Sequence, residues 1–163
     1  MRVYLGITLT ELASAVAQGG FGPPPLLAYA VTPSLREWYA EGDQEELEYA
    51  ATSDASRESL RHLSFDTNAP RRRVVVAADA PDGLVLPDAS VGRSVVVVQA
   101  ALPMDKVAAV HVDEPEAAQV VAAAADVVGK ADAGEDDAEF TVDEALGHEL
   151  LWYARQEIPD LFA

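Results

Sequence analysis

Cysteine is absent from the 163 residues. That excludes disulfides, thiolate nucleophiles and Cys-ligated zinc, and gives no sign of an oxidising compartment. Histidine occurs only at His62, His111 and His148, so any imidazole chemistry must be built from those three. Basic residues are few: 11 Lys and Arg face 28 Asp and Glu, for a net charge of −17. Phosphate backbones and anionic membranes attract stripes of Lys and Arg, so this balance argues against direct nucleic-acid binding and against membrane surfaces. It suits a cationic partner, or none. No apolar run approaches the ~20 residues of a membrane helix, and "MRVYLGITLTEL" carries no signal-peptide core. The expectation is a soluble, cytoplasmic protein.

Recognised chemistries are missing too. A phosphate-binding glycine loop must leave a strand and open a helix. "GGFGPPP" (19–25) instead follows a helical pattern and runs into prolines. "HELLW" (148–152) begins like a zinc-protease helix, yet position 152 is Trp where the second His is required. "GRSVV" (92–96) lacks the second Gly of a nucleophile elbow, and Ser94 leads into a strand. The acidic run "KADAGEDDAE" (130–139) does not have the alternating ligands of a calcium loop and reads as a solvated loop. No cofactor or metal site is expected, and no catalytic residue is assigned.

What is present is a succession of short elements that fits one domain over residues 1–163. "RVYLGI" is a strand. Thr8 and Glu11 form a capping box for the helix that follows, and "LLAYAV" (26–31) is a second strand. Together they predict an N-terminal βαβ unit with parallel strands. Thr32 caps a short helix starting at Pro33, and Asp43 with Glu46 caps another. In the segment 43–64, Leu47, Ala50 and Ala51 share one face while Ser56, Leu60 and Leu63 lie nearly opposite, which predicts a break at residues 52–54. "RRRVVVAAD" and "RSVVVVQAA" read as strands covered on both faces, with a short extra strand near Leu84–Leu86. "VAAVHV" (107–112) is a further strand, after which Asp113 with Glu116 caps a helix ending at Gly129. Thr141 with Glu144 caps the last helix. The fold class is α+β, or irregular α/β: a mixed sheet of about five strands with helices packed on it.

In the last helix, Val142, Leu146, Leu150 and Tyr153 form the apolar arc. Trp152 falls opposite it, flanked by His148, Arg155 and Glu149, which makes either a recognition surface or a ring covered by the C-terminal "PDLFA". Trp38, in line with Leu35 and Tyr39, reads as core. Arg71, Arg72 and Arg73 form the only basic cluster; they pair with surplus carboxylates or bind an anion. His62 sits near a helix end, where a cation suits the dipole, and His111 lies in a strand.

"AYAVTPSLREWYAEGDQEELEYAA", "APRRRVVVAADAP", "VAAVHVDE" and "GHELLWYARQE" together resemble an uncharacterised family of small, acidic, Ala-rich actinobacterial proteins, over about residues 1–158. The resemblance implies a bacterial cytoplasmic setting and carries over no catalytic residue. Two functions follow from the residues. One is a non-enzymatic interaction or regulatory domain, with a protein partner or as a homodimer, using Trp152, His148, Arg155 and Glu149 or the acidic second half. The other is an enzyme acting on a small anionic substrate, with Arg71, Arg72 or Arg73 holding the anion and His148 as acid or base.

Overall fold

The computed structural model describes all 163 residues. The sheet strands are β1 (Arg2–Ile7), β3 (Leu26–Tyr29), β4 (Val74–Asp79), β5 (Val85–Pro87), β6 (Val95–Val98), β8 (Val107–Asp113) and β9 (Leu150–Ala154); a separate ribbon pairs β2 (Gly20–Phe21) with β7 (Leu102–Pro103). The helices are α1 (Leu9–Gln18), α2 (Pro33–Trp38), α3 (Gln44–Phe65), α4 (Ala118–Asp132) and α5 (Asp136–Leu146), and a 3-10 turn over Arg155–Phe162 follows β9. None of the helices is long and apolar enough to cross a membrane.

The α+β class holds, but the sheet has seven strands, in the order β5-β6-β3-β1-β4-β8-β9, and every neighbouring pair is antiparallel. The expected mixed sheet of five is corrected accordingly, and so is the parallel βαβ unit. β1 and β3 run in opposite directions, with Tyr4 across from Tyr29. The reason lies in residues 19–25. They do not turn directly from α1 into β3, because Gly20 and Phe21 first pair with Pro103 and Leu102.

One face of the sheet buries Val3, Leu5, Val76, Val96 and Val110 under α1 and the C-terminal turn, whose Leu12 and Ile158 join the same core. The other face sets Tyr4, Tyr29 and Val75 against Leu47, Ala51 and Ala55 of α3. Farther along α3, Leu60 and Leu63 pack against Val121, Val128 and Val142 of α4 and α5. This explains why α3 is continuous where a break was expected at 52–54. Its apolar stripe changes side because the first half covers the sheet and the second half covers helices.

α3 lies so close to β1 that a Cβ on Gly6 would stand 1.9 Å from the Ala55 carbonyl oxygen. Ser59, one turn on, donates to Ile7 O (2.6 Å) and accepts from Val74 N–H (3.0 Å), joining β1 to β4 beneath the helix.

The Thr8–Glu11 capping box forms as expected, with both bonds at 3.1 Å. Four helix boundaries differ, among them the start of the last helix, where Thr141 lies inside α5 and does not cap it. Asp113 does not cap α4: it is buried against Arg73, and α4 starts after a 3-10 turn over Pro115–Ala117 and runs past Gly129 to Asp132. The run 130–139 is not a loop, since α4 ends and α5 begins within it. Asp136, Asp137 and Glu139 fill the first turn of α5, where the helix dipole favours carboxylates. The last helix stops at Leu146, and residues 150–154 form a strand. Short apolar runs satisfy either period, and here β8 supplies five residue partners along its open side.

Candidate functional site

β9 is an edge strand, paired only with β8. Trp152 stands on it opposite His111 and is 61% exposed. Its exposure therefore comes from a position at the sheet margin and not from the far side of a helix. Glu149 precedes the strand and Arg155 follows it; His148 lies in the turn after α5, and its carbonyl accepts from Arg73 Nη2 at 3.1 Å. Arg155 Nη1 donates to the Asp105 carbonyl at 2.5 Å and meets no carboxylate of its own chain. The four residues are thus gathered along one edge and its two flanks.

The three consecutive arginines are directed inward. Arg71 donates to the carbonyls of Leu63, Asp66 and Ala69 and so closes the C-terminus of α3. Arg72 Nε donates to the Asp113 carbonyl at 2.8 Å. Arg73, 1% exposed, holds the fully buried Asp113 through Nε (2.8 Å) and Nη2 (2.7 Å), while its backbone N–H donates to the same carboxylate at 2.7 Å. Every buried side-chain nitrogen and oxygen in the chain has a partner. Arg73 and His148 do line one cleft of ≈ 410 Å³ with His111, Tyr49 and Leu150. In it, burial pushes the His111 imidazole below its usual pKa.

A second concavity was missed from sequence. Between α2 and the start of α3 lies a groove of ≈ 830 Å³ lined by Trp38, Tyr39, Tyr49, Glu46, Asp54 and Arg93. Trp38 is 62% exposed, which corrects its reading as core, and Tyr49 is 71% exposed. α2 has only six residues, and Leu35 is its one buried side chain, so the helix has no room to bury a second large ring. The Arg93 guanidinium sits 3.6 Å from the centroid of the Trp38 ring. Asp43 and Glu45 add two further carboxylates to the lining. The legible signal was two adjacent aromatics at the end of a short helix, followed at once by an acidic run. Tyr49 borders both concavities, so the groove and the cleft adjoin across α3.

On the opposite flank of α3, His62 bonds Glu11 through Nδ1 at 2.7 Å and lies 4.0 Å from buried Glu58. The hydrogen bond to Glu11, over the opposing cost of burial, raises His62 above its usual pKa. Burial works to raise Glu11, but the bond and charge of His62 outweigh it and leave the carboxyl lowered. Asp132 and Glu139, within the acidic run, hold Arg57, and Asp132 also holds Arg61. No three of His, Asp or Glu converge as a metal site.

No curated protein and no solved structure matches the chain. A family model described as a family of unknown function, DUF6912, matches residues 1–162, and the chain belongs to that family.

Proposed function

We propose that this protein is a non-enzymatic interaction domain that docks a basic segment of a protein partner in the groove between α2 and α3. The observation that carries this reading is Arg93 on Trp38, 3.6 Å from the ring centroid. An aromatic face takes a guanidinium there, within reach of carboxylates, and cation–π contacts of this kind contribute about 0.5–2 kcal/mol. Tyr39 and Tyr49 offer further exposed rings beside Asp43, Glu45 and Glu46. A Lys or Arg side chain of a partner finds the same chemistry. The net charge of −17 steers such a partner inward and disfavours nucleic acid. The edge formed by Trp152, His148, Arg155 and Glu149 is a second contact surface in this reading. A bacterial cytoplasm is the setting proposed for it.

The rival reading is an enzyme for a small anionic substrate, and it has one observation in its favour: Arg73 and His148 share a cleft. Substrate binding there requires Arg73 to leave Asp113, and breaking a buried pair costs about 3–5 kcal/mol. The interaction reading asks only that Arg93 yield the exposed Trp38 ring, a contact of about 0.5–1 kcal/mol at an exposed site.

Tryptophan fluorescence tests the proposal. Titration with an arginine-rich peptide should change the emission of the wild-type protein, and Trp38→Phe should remove most of that change; a glutamate-rich peptide of equal length should do nothing. Equal responses to both peptides, or a response that survives in full without Trp38, would overturn it.

A further inference from the structure

The free side of β9 has features that a groove-binding partner does not explain. Two large apolar side chains are exposed on it, Trp152 at 61% and Leu151 at 43%, and as strand neighbours they point to opposite faces of the sheet. A ligand lying on one face covers one of them. An added strand flanks both.

The backbone directions are fixed by the ladder. Asp113 N–H donates to the Arg73 carbonyl, so Asp113 and, two residues earlier, His111 turn their backbone groups toward β4. Val110 and Val112 then face β9, where they pair with Tyr153 and Leu151. The N–H and C=O of Leu150 and Trp152 therefore point away from the sheet. Ala154 belongs to the same outward set, and its N–H is already capped by Glu157 Oε1 at 2.9 Å. Only Leu150 and Trp152 offer open donors along this edge.

Natural edges are usually blunted by Lys, Pro, bulges or brevity. The opposite edge of this sheet is: β5 has three residues and ends in Pro87. β9 reads "LLWYA", without a charge, a proline or a register shift against β8.

We propose that β9 pairs antiparallel with β9 of a second copy of this chain, about a two-fold axis at Leu151. This deepens the reading of the Trp152 edge as a contact surface and rests on it. In that register Leu150 of each copy exchanges both backbone bonds with Trp152 of the other, so all the open groups are used and none falls on the capped Ala154 N–H. Each indole packs over the other copy's Leu150, and the two Leu151 side chains meet on the opposite face. Charge selects a second copy over an unrelated strand. Glu149 and Arg155 flank β9, neither has an ion-pair partner in its own chain, and the two-fold places each diagonally beside its opposite on the other copy, a pairing that the long Arg155 side chain makes by swinging from the Asp105 carbonyl toward the free edge.

Sedimentation equilibrium of the full chain tests this. Physiological salt is the appropriate medium, since a Debye length of about 8 Å limits repulsion between two acidic chains. The mass should rise with concentration from 17.3 kDa toward twice that value. Trp152→Pro removes an outward N–H and no bond to β8, a position where edge strands tolerate proline, and should hold the protein monomeric. Glu149→Arg and Arg155→Glu, both at exposed positions, should each weaken association several-fold, and the double swap should restore it. A mass fixed at 17.3 kDa up to millimolar protein would overturn the proposal. So would a dimer indifferent to Trp152→Pro, or single-swap losses that the double swap does not rescue. Trp38 is not on β9, so failure here leaves the peptide test of the groove intact.

Discussion

Arg73 and Asp113 form a two-pronged ion pair almost wholly shut off from solvent, joining the start of β4 to the end of β8. Removing one partner leaves an uncompensated buried charge, a loss of about 3–5 kcal/mol. Asp113→Ala should therefore lower the urea midpoint sharply, and Arg73→Met with Asp113→Leu should recover most of the loss. A urea midpoint unmoved by Asp113→Ala would contradict this role of the pair.

Gly6 marks the closest approach of α3 to the sheet. A methyl group there meets the backbone of Ala55 at 1.9 Å and that of Ser59 at 2.8 Å, and neither can swing aside as a side chain could. Gly6→Ala should cost about 3 kcal/mol, the upper end of overpacking effects. Gly83, with open space around its Cβ position, should accept Ala within about 0.5 kcal/mol. Denaturant unfolding of the two variants checks the contrast.

These close contacts also show where the sequence could be read and where it could not. Thr8, Glu11 and Thr32 act through neighbours three residues away, so their caps were visible in the local pattern. Asp113 obeys the same spacing rule with Glu116, but its carboxylate was taken by Arg73, 40 residues distant in the chain. The stretch 150–154 fits a helical arc as well as a strand, and only the open side of β8 decides between them. Trp152 lies outside the apolar arc of a helix in the sequence pattern, but its exposure comes from a place on an edge strand that only the pairing with β8 defines. The Trp38 groove was missed because it needs α2, α3 and Arg93 to be brought together.

His62 and His111 should give stability opposite dependences on pH. The folded pKa of His62 is raised, so its contribution is complete below the unfolded value of 6.5 and is lost as pH rises through the folded value. The folded pKa of His111 is lowered, so the unfolded chain binds more protons below 6.5 and stability falls as the solution is acidified through that range. His62→Gln should flatten the alkaline side of a stability–pH curve, and His111→Gln the acidic side. Urea midpoints from pH 5 to 8 read both; the same side flattened by both variants would contradict the assignment.

Arg93 occupies the very ring that a basic partner is proposed to use. Removing it vacates the Trp38 face and deletes a positive charge from the groove, so Arg93→Ala should bind an arginine-rich peptide more tightly than the wild type. Weaker binding would mean that Arg93 helps to form the docking site.

Docking of a basic segment in the groove is tested most directly by calorimetric titration of an arginine-rich peptide into the wild-type protein and Trp38→Ala. Loss of a cation–π contact of about 1–2 kcal/mol should weaken binding by roughly five- to thirty-fold. The same affinity for both proteins would mean that the peptide responds only to the overall negative charge, and the groove would lose its proposed role.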